Sequence, residues 1–221
     1  MEQPSLSISP LQNNCSRLRV EELRFLSNGP YTFTLEEGEC VGLSGKSGIG
    51  KTQLLRAVTD IIPHSGQLFL DGTPAATFSA PLWRCRVTMV PAESFWWYDT
   101  VGDHFAAGFE SQSIKKTISA VGFEEDVFKW RISRLSTGEK QRLALVRSLC
   151  NTPSVLLLDE PCSSLDAYHT TLIENFIQHY VQQKNASVLW VSHDSQQLKR
   201  VAVRELCLEK GGLVERREKH F

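Results

Sequence analysis

Polar and apolar residues alternate, or run apolar, through SRLRVEELRF from Ser16 and through YTFTLEEGECVGLS from Tyr31. This predicts strands punctuated by turns at Asn28-Gly29-Pro30 and Glu37-Gly38. KTQLLRAVTD, from Lys51, shifts to helical spacing. HSGQLFLDG reads as a strand closed by Asp71-Gly72, and RVTMVP, ending at Pro91, as another, so apart from one helix the first ninety residues are mostly β. From about Val101 to Cys150 the pattern turns helical, in the segments DHFAAGF, SIKKTISAVGF, EEDVFKW and GEKQRLALVRSLC. The remainder alternates: strand SVLLLD, a helix from Ala167 to about Gln183, strand SVLWVSHD, a short helix SQQLKR, and the strands VRELCLE and GLVERRE. Such alternation predicts a mainly parallel α/β core with its site at the carboxyl ends of the strands, interrupted by a helical insertion over about residues 92–150.

Between the strand ECVGLS and the helix KTQLLRAVTD lies GKSGIGKT, comprising Gly45, Lys46, Ser47, Gly48, Ile49, Gly50, Lys51 and Thr52. A glycine-rich loop between a strand and a helix is the context of a phosphate-binding P-loop. Its glycines let backbone N–H groups curl toward phosphate oxygens, and no Cβ blocks the approach. Lys51 supplies a point charge for the β and γ phosphates and Thr52 a hydroxyl for Mg²⁺. The start of the helix, with Gln53 next in line, adds the positive end of its dipole.

SVLLLDE is an apolar strand with two carboxylates, Asp159 and Glu160, at its tip. Like charges placed together repel unless they share something cationic, and a nucleotide's Mg²⁺ is such a cation. Asp159 then suits a metal-bound water, and Glu160 a base that polarises an attacking water. RLSTGEKQRLALVRSLC supplies a Ser/Thr/Gly turn and an amphipathic helix capped by Ser136 or Thr137.

With these segments in this order, the chain resembles the ATP-binding cassette (ABC) ATPases from residue 17 to 215. GKSGIGKT resembles their Walker A motif, LSTGE (135–139) their signature, VLLLDE their Walker B, SSLD (163–166) their D-loop, and SHD around His193 their switch histidine. The resemblance implies an α/β P-loop NTPase fold with a mainly parallel core sheet, an antiparallel β subdomain and a short α-helical subdomain. It implies ATP and Mg²⁺ as cofactors. A second ATPase subunit, a homodimer on ATP binding, would place each ATP between one Walker A and the partner's signature. Ser136 and the Gly138 backbone would then meet the γ-phosphate in trans, with Asp166 in the D-loop beside them, and His193 would hydrogen-bond the γ-phosphate and order water near Glu160. The implied activity is ATP hydrolysis powering transport through a separate membrane permease. Within the family the short helical insertion, GEKQR and SVLWVSHD are most similar to ATPase subunits of the FetA-like iron and metal exporters. The alternative is a cassette ATPase that does not serve transport.

The chain departs from the family after RVTMVP, where Ala92 stands in place of the usual glutamine and cannot hydrogen-bond through its side chain; either Glu93 substitutes or the link is made differently. Thr137 replaces the usual signature glycine. Phe25 is the best match for the aromatic that stacks on adenine, with Tyr31 second, the alternative for either being ordinary core. Phe95-Trp96-Trp97-Tyr98 follow where the family receives its permease, and four consecutive aromatics cannot all face inward on extended backbone, which predicts that Trp96 or Trp97 docks a membrane partner.

Charge and composition change this picture little. The 221 residues carry 24 basic and 25 acidic side chains, a net charge of −1, which gives no electrostatic reason to expect nucleic acid. Apolar runs fall far short of the ~20 residues a membrane span needs, so a membrane is reached through another polypeptide. Residues 1–15 read as a disordered tail without the features of a secretory signal, and 16–221 as one domain; the expected location is cytoplasmic, peripheral on the inner face of the cell membrane. Six scattered cysteines without a CxxC pair read as buried or incidental thiols.

Overall fold

The computed structural model describes residues 16–105 and 112–216. The 1–15 tail lies outside them, as does the end of the DHFAAGF segment. Among the described residues ten strands form two sheets. β1 (Ser16–Phe25), β2 (Asn28–Glu36), β4 (Ser65–Leu70) and the two-residue β5 (Thr73–Pro74) make an antiparallel sheet in the order β2-β1-β4-β5. β3 (Cys40–Gly45), β6 (Val87–Val90), β7 (Val155–Asp159), β8 (Ser187–Val191), β9 (Arg204–Glu209) and β10 (Gly212–Arg216) make the other, in the order β10-β9-β3-β8-β7-β6. All its neighbours are parallel except the β9–β10 hairpin at one edge.

The central strands are buried on both faces, which is why they read as continuous apolar runs. Their alternation sorts them between two cores. Val155, Leu157, Leu189 and Val191 point toward the antiparallel sheet and α1 (Lys51–Val58), together with Leu54, Leu55 and Val58. Leu156, Leu158, Val188 and Trp190 point the other way, toward α4 (Thr137–Leu149), α5 (Ala167–Lys184) and α6 (Ser195–Val201). Truncating Leu157, wholly buried, to alanine is expected to cost about 2–5 kcal/mol, read as a lowered denaturation midpoint.

Three expectations need correction. The first ninety residues contain a further helix, α2 (Ala80–Arg86), entered through Ser79 with proline in its first turn. The first hairpin turns at Leu26 and Ser27, so Asn28-Gly29-Pro30 opens β2 instead of forming the turn. The helical insertion holds α3 (Gln112–Ala120) and α4, while EEDVFKW contributes a 3₁₀ turn, Glu125–Lys129.

Candidate functional site

The loop after β3 curls because Gly45, Gly48 and Gly50 hold φ of 144°, 72° and 111°, values that L side chains resist. A Cβ on Gly48 would meet nothing within 4 Å, so its backbone faces open space. Lys46 and Ser47 are exposed, the Ile49 amide closes on the Lys46 carbonyl at 3.3 Å, and Gln53 lies half-buried on the first turn of α1. The Lys51 ammonium folds into the loop, donating to the Gly45 carbonyl at 2.8 Å and that of Lys46 at 3.3 Å. Only 7 % of Lys51 is exposed; burial pulls its pKa below the ordinary lysine value, against the opposing pull of Glu160 and Asp159.

Two strands away, β7 delivers Asp159 to the same point. The Thr52 hydroxyl donates to Asp159 Oδ2 at 2.8 Å, joining the two sequence-predicted metal ligands. Glu160 follows with φ 50°, its amide donating to the Val191 carbonyl at the end of β8. Two residues beyond that strand end is His193, whose Nε2 lies 3.4 Å from Glu160 Oε1. That oxygen is buried and makes no hydrogen bond within the short range such bonds need. Burial pushes the Glu160 carboxyl above its ordinary value; His193 and Lys51 pull it down and Asp159 pushes it further up. A carboxyl raised by folding stabilises the fold when protonated and loses that contribution as pH rises through the raised value. Glu160→Gln is therefore expected to raise the melting temperature at neutral pH, with the gain fading in acid; a loss at neutral pH would contradict this electrostatic picture.

The remaining predicted residues stand apart from this group. Ser136, not Thr137, caps α4. Its amide and hydroxyl both donate to Glu139 Oε2 at 2.8 Å, and its oxygen accepts from the Glu139 amide. Burial pushes the Glu139 carboxyl up, but the Ser136 bonds and the charges of Arg142 and Arg134 hold it below its ordinary value. A Cβ on Gly138 would sit 2.8 Å from the Ser164 carbonyl, so the signature turn lies directly on the D-loop of its own chain. Asp166 caps α5, holding the His169 amide and Nδ1 at 2.8 Å, and those bonds keep its carboxyl low. Among the described residues no hydrogen bond or ion pair joins Ser136, Gly138 or Asp166 to Lys51, Thr52, Asp159 or Glu160.

Phe25 does not offer a ring for stacking. It is 2 % exposed in the core between the two sheets, 5.6 Å from the equally enclosed Tyr31. The hairpin tip instead presents Leu26, exposed, and Asn28, whose carboxamide lies 3.7 Å from where a Cβ on Gly50 would be. Sequence reading gave no place to Asn28, which opens β2 beside the loop. It also missed Gln141, buried on α4, whose Nε2 donates to the Glu160 carbonyl at 2.8 Å.

The Glu93 side chain is exposed, and among the described residues it makes no hydrogen bond or ion pair. Glu93→Ala and Ala92→Gly are each expected to change the ATPase rate and its Mg²⁺ dependence by less than about twofold; a large loss in Glu93→Ala alone would give that carboxylate the place of the glutamine. Of the four aromatics, Trp96 packs on the core and donates to Ser94, while Phe95, Trp97 and Tyr98 are 72 %, 63 % and 54 % exposed. His104 organises them, its Nε2 accepting from the Trp97 and Tyr98 amides at 2.9 Å. The Arg147 guanidinium sits over Trp96 and Trp97 at 4.5 and 4.8 Å.

A strand-loop-helix with lysine inside the loop, joined through Thr52 to the tip of a second parallel strand, defines a P-loop nucleotide site. Residues 29–163 match the family described as ABC transporter, and the chain belongs to that family. It is an ATP-binding, ATP-hydrolysing subunit of a transporter, and these similarities lend no support to the alternative outside transport. The chain is 30 % identical over 201 residues to the "Probable iron export ATP-binding protein FetA" of Escherichia coli (strain K12), covering 85 % of this chain and 89 % of that one. It is 32 % identical over 192 residues to ABC transporter I family member 17 of Arabidopsis thaliana, covering 83 % and 73 %. The fold is similar, with a TM-score of 0.80 at 22 % identity, to a bacterial Atm1-family ABC exporter solved with ATP bound, over 93 % of this chain and 39 % of that one. Among the described residues no helix is long and apolar enough to cross a membrane.

Proposed function

We propose that ATP binds with Mg²⁺ on the Lys51 loop, is hydrolysed by a water held at Glu160 and His193, and drives a separate membrane-embedded partner on whose inner face this chain sits. The observation that carries the reading is the 2.8 Å bond between Thr52 and Asp159, beside Lys51 and Glu160. Those two oxygens are hard donors carrying one negative charge, which suits Mg²⁺, an ion that takes few protein ligands and completes its shell with phosphates and water. Among the described residues no group of three or more His, Cys, Asp or Glu side chains forms a cage of its own, in keeping with a metal that arrives with the nucleotide. Bound there, Mg²⁺ supplies neutralisation of phosphate charge. Lys51 counters the β and γ phosphates, the loop amides orient them, Glu160 takes the proton of the attacking water, and His193 bonds the γ-phosphate. Phosphate release is expected to require Mg²⁺; the same rate in chelator would contradict the roles given to Thr52 and Asp159.

The separation of Ser136, Gly138 and Asp166 from that group supports a homodimer in which these residues face the partner chain's ATP, Ser136 and the Gly138 amide donating to its γ-phosphate. The exposed Trp97, backed by Arg147 and His104, supports docking of the membrane partner on this face. Trp97→Ala is expected to cost about 2 kcal/mol or more of binding to the solubilised partner while basal ATPase and folding persist; unchanged partner binding would overturn this. Similarity to FetA supports iron as the cargo and export as the direction. Cells lacking the chain should then accumulate iron, and an unchanged iron content would count against that cargo.

A further inference from the structure

Glu160 is a non-glycine residue at φ 50°, in the left-handed region that L side chains occupy at a cost on the order of 1 kcal/mol. Such a conformation persists only where neighbours over-determine it. Its carboxylate Oε1 makes no side-chain hydrogen bond, with His193 Nε2 3.4 Å away as its charge partner, and the backbone sets where the side chain starts. That backbone is held at three points: its amide donates to the Val191 carbonyl at 3.1 Å, and its carbonyl accepts from the Ser163 amide at 3.2 Å and from Gln141 Nε2 at 2.8 Å. The last is the shortest of the three and, among the described residues, the one made by a side chain.

Gln141 is 3 % exposed and lies five residues after Ser136, on the same helix. The start of that helix touches the turn after Glu160 a second time, where Gly138 meets the Ser164 carbonyl so closely that a Cβ would be 2.8 Å away. One helix therefore carries the proposed receptor for the partner's γ-phosphate at its first residues, and one turn later grips the carboxylate residue of its own chain's site.

We infer that Gln141 is a positioning residue: its amide holds the Glu160 backbone in the productive conformation and links the signature, which reads the partner's ATP, to hydrolysis at the chain's own P-loop. This rests on the reading of Glu160 as the base and of Ser136 as a trans contact. A movement of α4 on phosphate binding reaches Glu160 through a bond within a tightly packed interface, where small shifts are transmitted instead of absorbed. Cooperativity between the two ATP sites follows.

The test is Gln141→Leu, which keeps the side chain's bulk and removes the donor. Gln141 Oε1 is itself buried without a partner, so the substitution leaves no new orphan on that atom and the fold should hold. The expected result is a kcat lowered about tenfold with the KM for ATP within about twofold, and a Hill coefficient for ATP that falls toward one. A purely structural role would instead lower the yield of folded chain and leave kcat and the Hill coefficient of the folded fraction at wild-type values; that outcome, or a fully active cooperative variant, overturns the inference. Should Gln141→Leu not fold, Gln141→Met, unbranched and more adaptable, takes its place with the same criteria. Glu160→Gln assayed in parallel separates the two levels. If hydrolysis does not depend on Glu160, the functional reading fails; if it does and Gln141 is dispensable, only the present inference fails.

Discussion

Glu160→Gln is expected to yield a chain that binds ATP yet hydrolyses it about 10²-fold more slowly or worse. The amide matches the carboxylate in shape and volume, so β7, the bond from Gln141 to the residue 160 carbonyl and the Thr52–Asp159 pair should all survive. What is lost is the ability to accept a proton. Burial pushes the Glu160 carboxyl above its ordinary value, and its charge partner, His193 at 3.4 Å, stands where it can order the same water. Phosphate release and nucleotide binding measured on one preparation check the split. A near-wild-type rate would remove Glu160 from the chemistry.

Lys51→Ala is expected to act on binding, weakening ATP affinity by on the order of 10²-fold, because a desolvated unit charge near a phosphate is worth several kcal/mol where one at the surface is worth little. Lys51 is the buried cation of the loop, drawn inward by the Gly45 and Lys46 carbonyls. Its removal also frees those carbonyls, so circular dichroism of the variant should accompany the titration. Unchanged affinity in a folded variant would sink the assignment. Together the two substitutions should separate: one binds without turnover, the other fails to bind.

Much of this site is legible in the sequence because its parts stand at the ends of strands that are apolar throughout. VLLLDE and VLWVSHD announce both a buried strand and the polar residues at its tip, and the loop glycines announce the φ values found there. Phe25 escaped for a definite reason. β1 buries Leu18 and Val20 on even positions but Leu23 and Phe25 on odd ones, because an irregularity in pairing between Val20 and Leu23, with Glu22 at φ 51°, inserts a residue and reverses the alternation. Simple alternation puts Phe25 on the outside, and the bulge turns it into the core. Helix α2 escaped because seven residues with a proline among them carry too little periodicity to be read. Gln141 was hidden in a run of helix-forming residues, since its significance lies in the carbonyl it meets and not in its spacing. The trans role proposed for Ser136 is legible only through family resemblance, as among the described residues nothing within one chain joins it to the P-loop.

That separation makes the two-chain ATP site the claim most open to direct attack. Light scattering of the purified Glu160→Gln chain, with and without ATP and Mg²⁺, is the measurement. The account predicts the 24.9 kDa mass of one chain without nucleotide and twice that mass with it, the dimer disappearing when Ser136→Arg is added to the same chain. A chain that binds ATP with full affinity and remains at the mass of a single copy would contradict it.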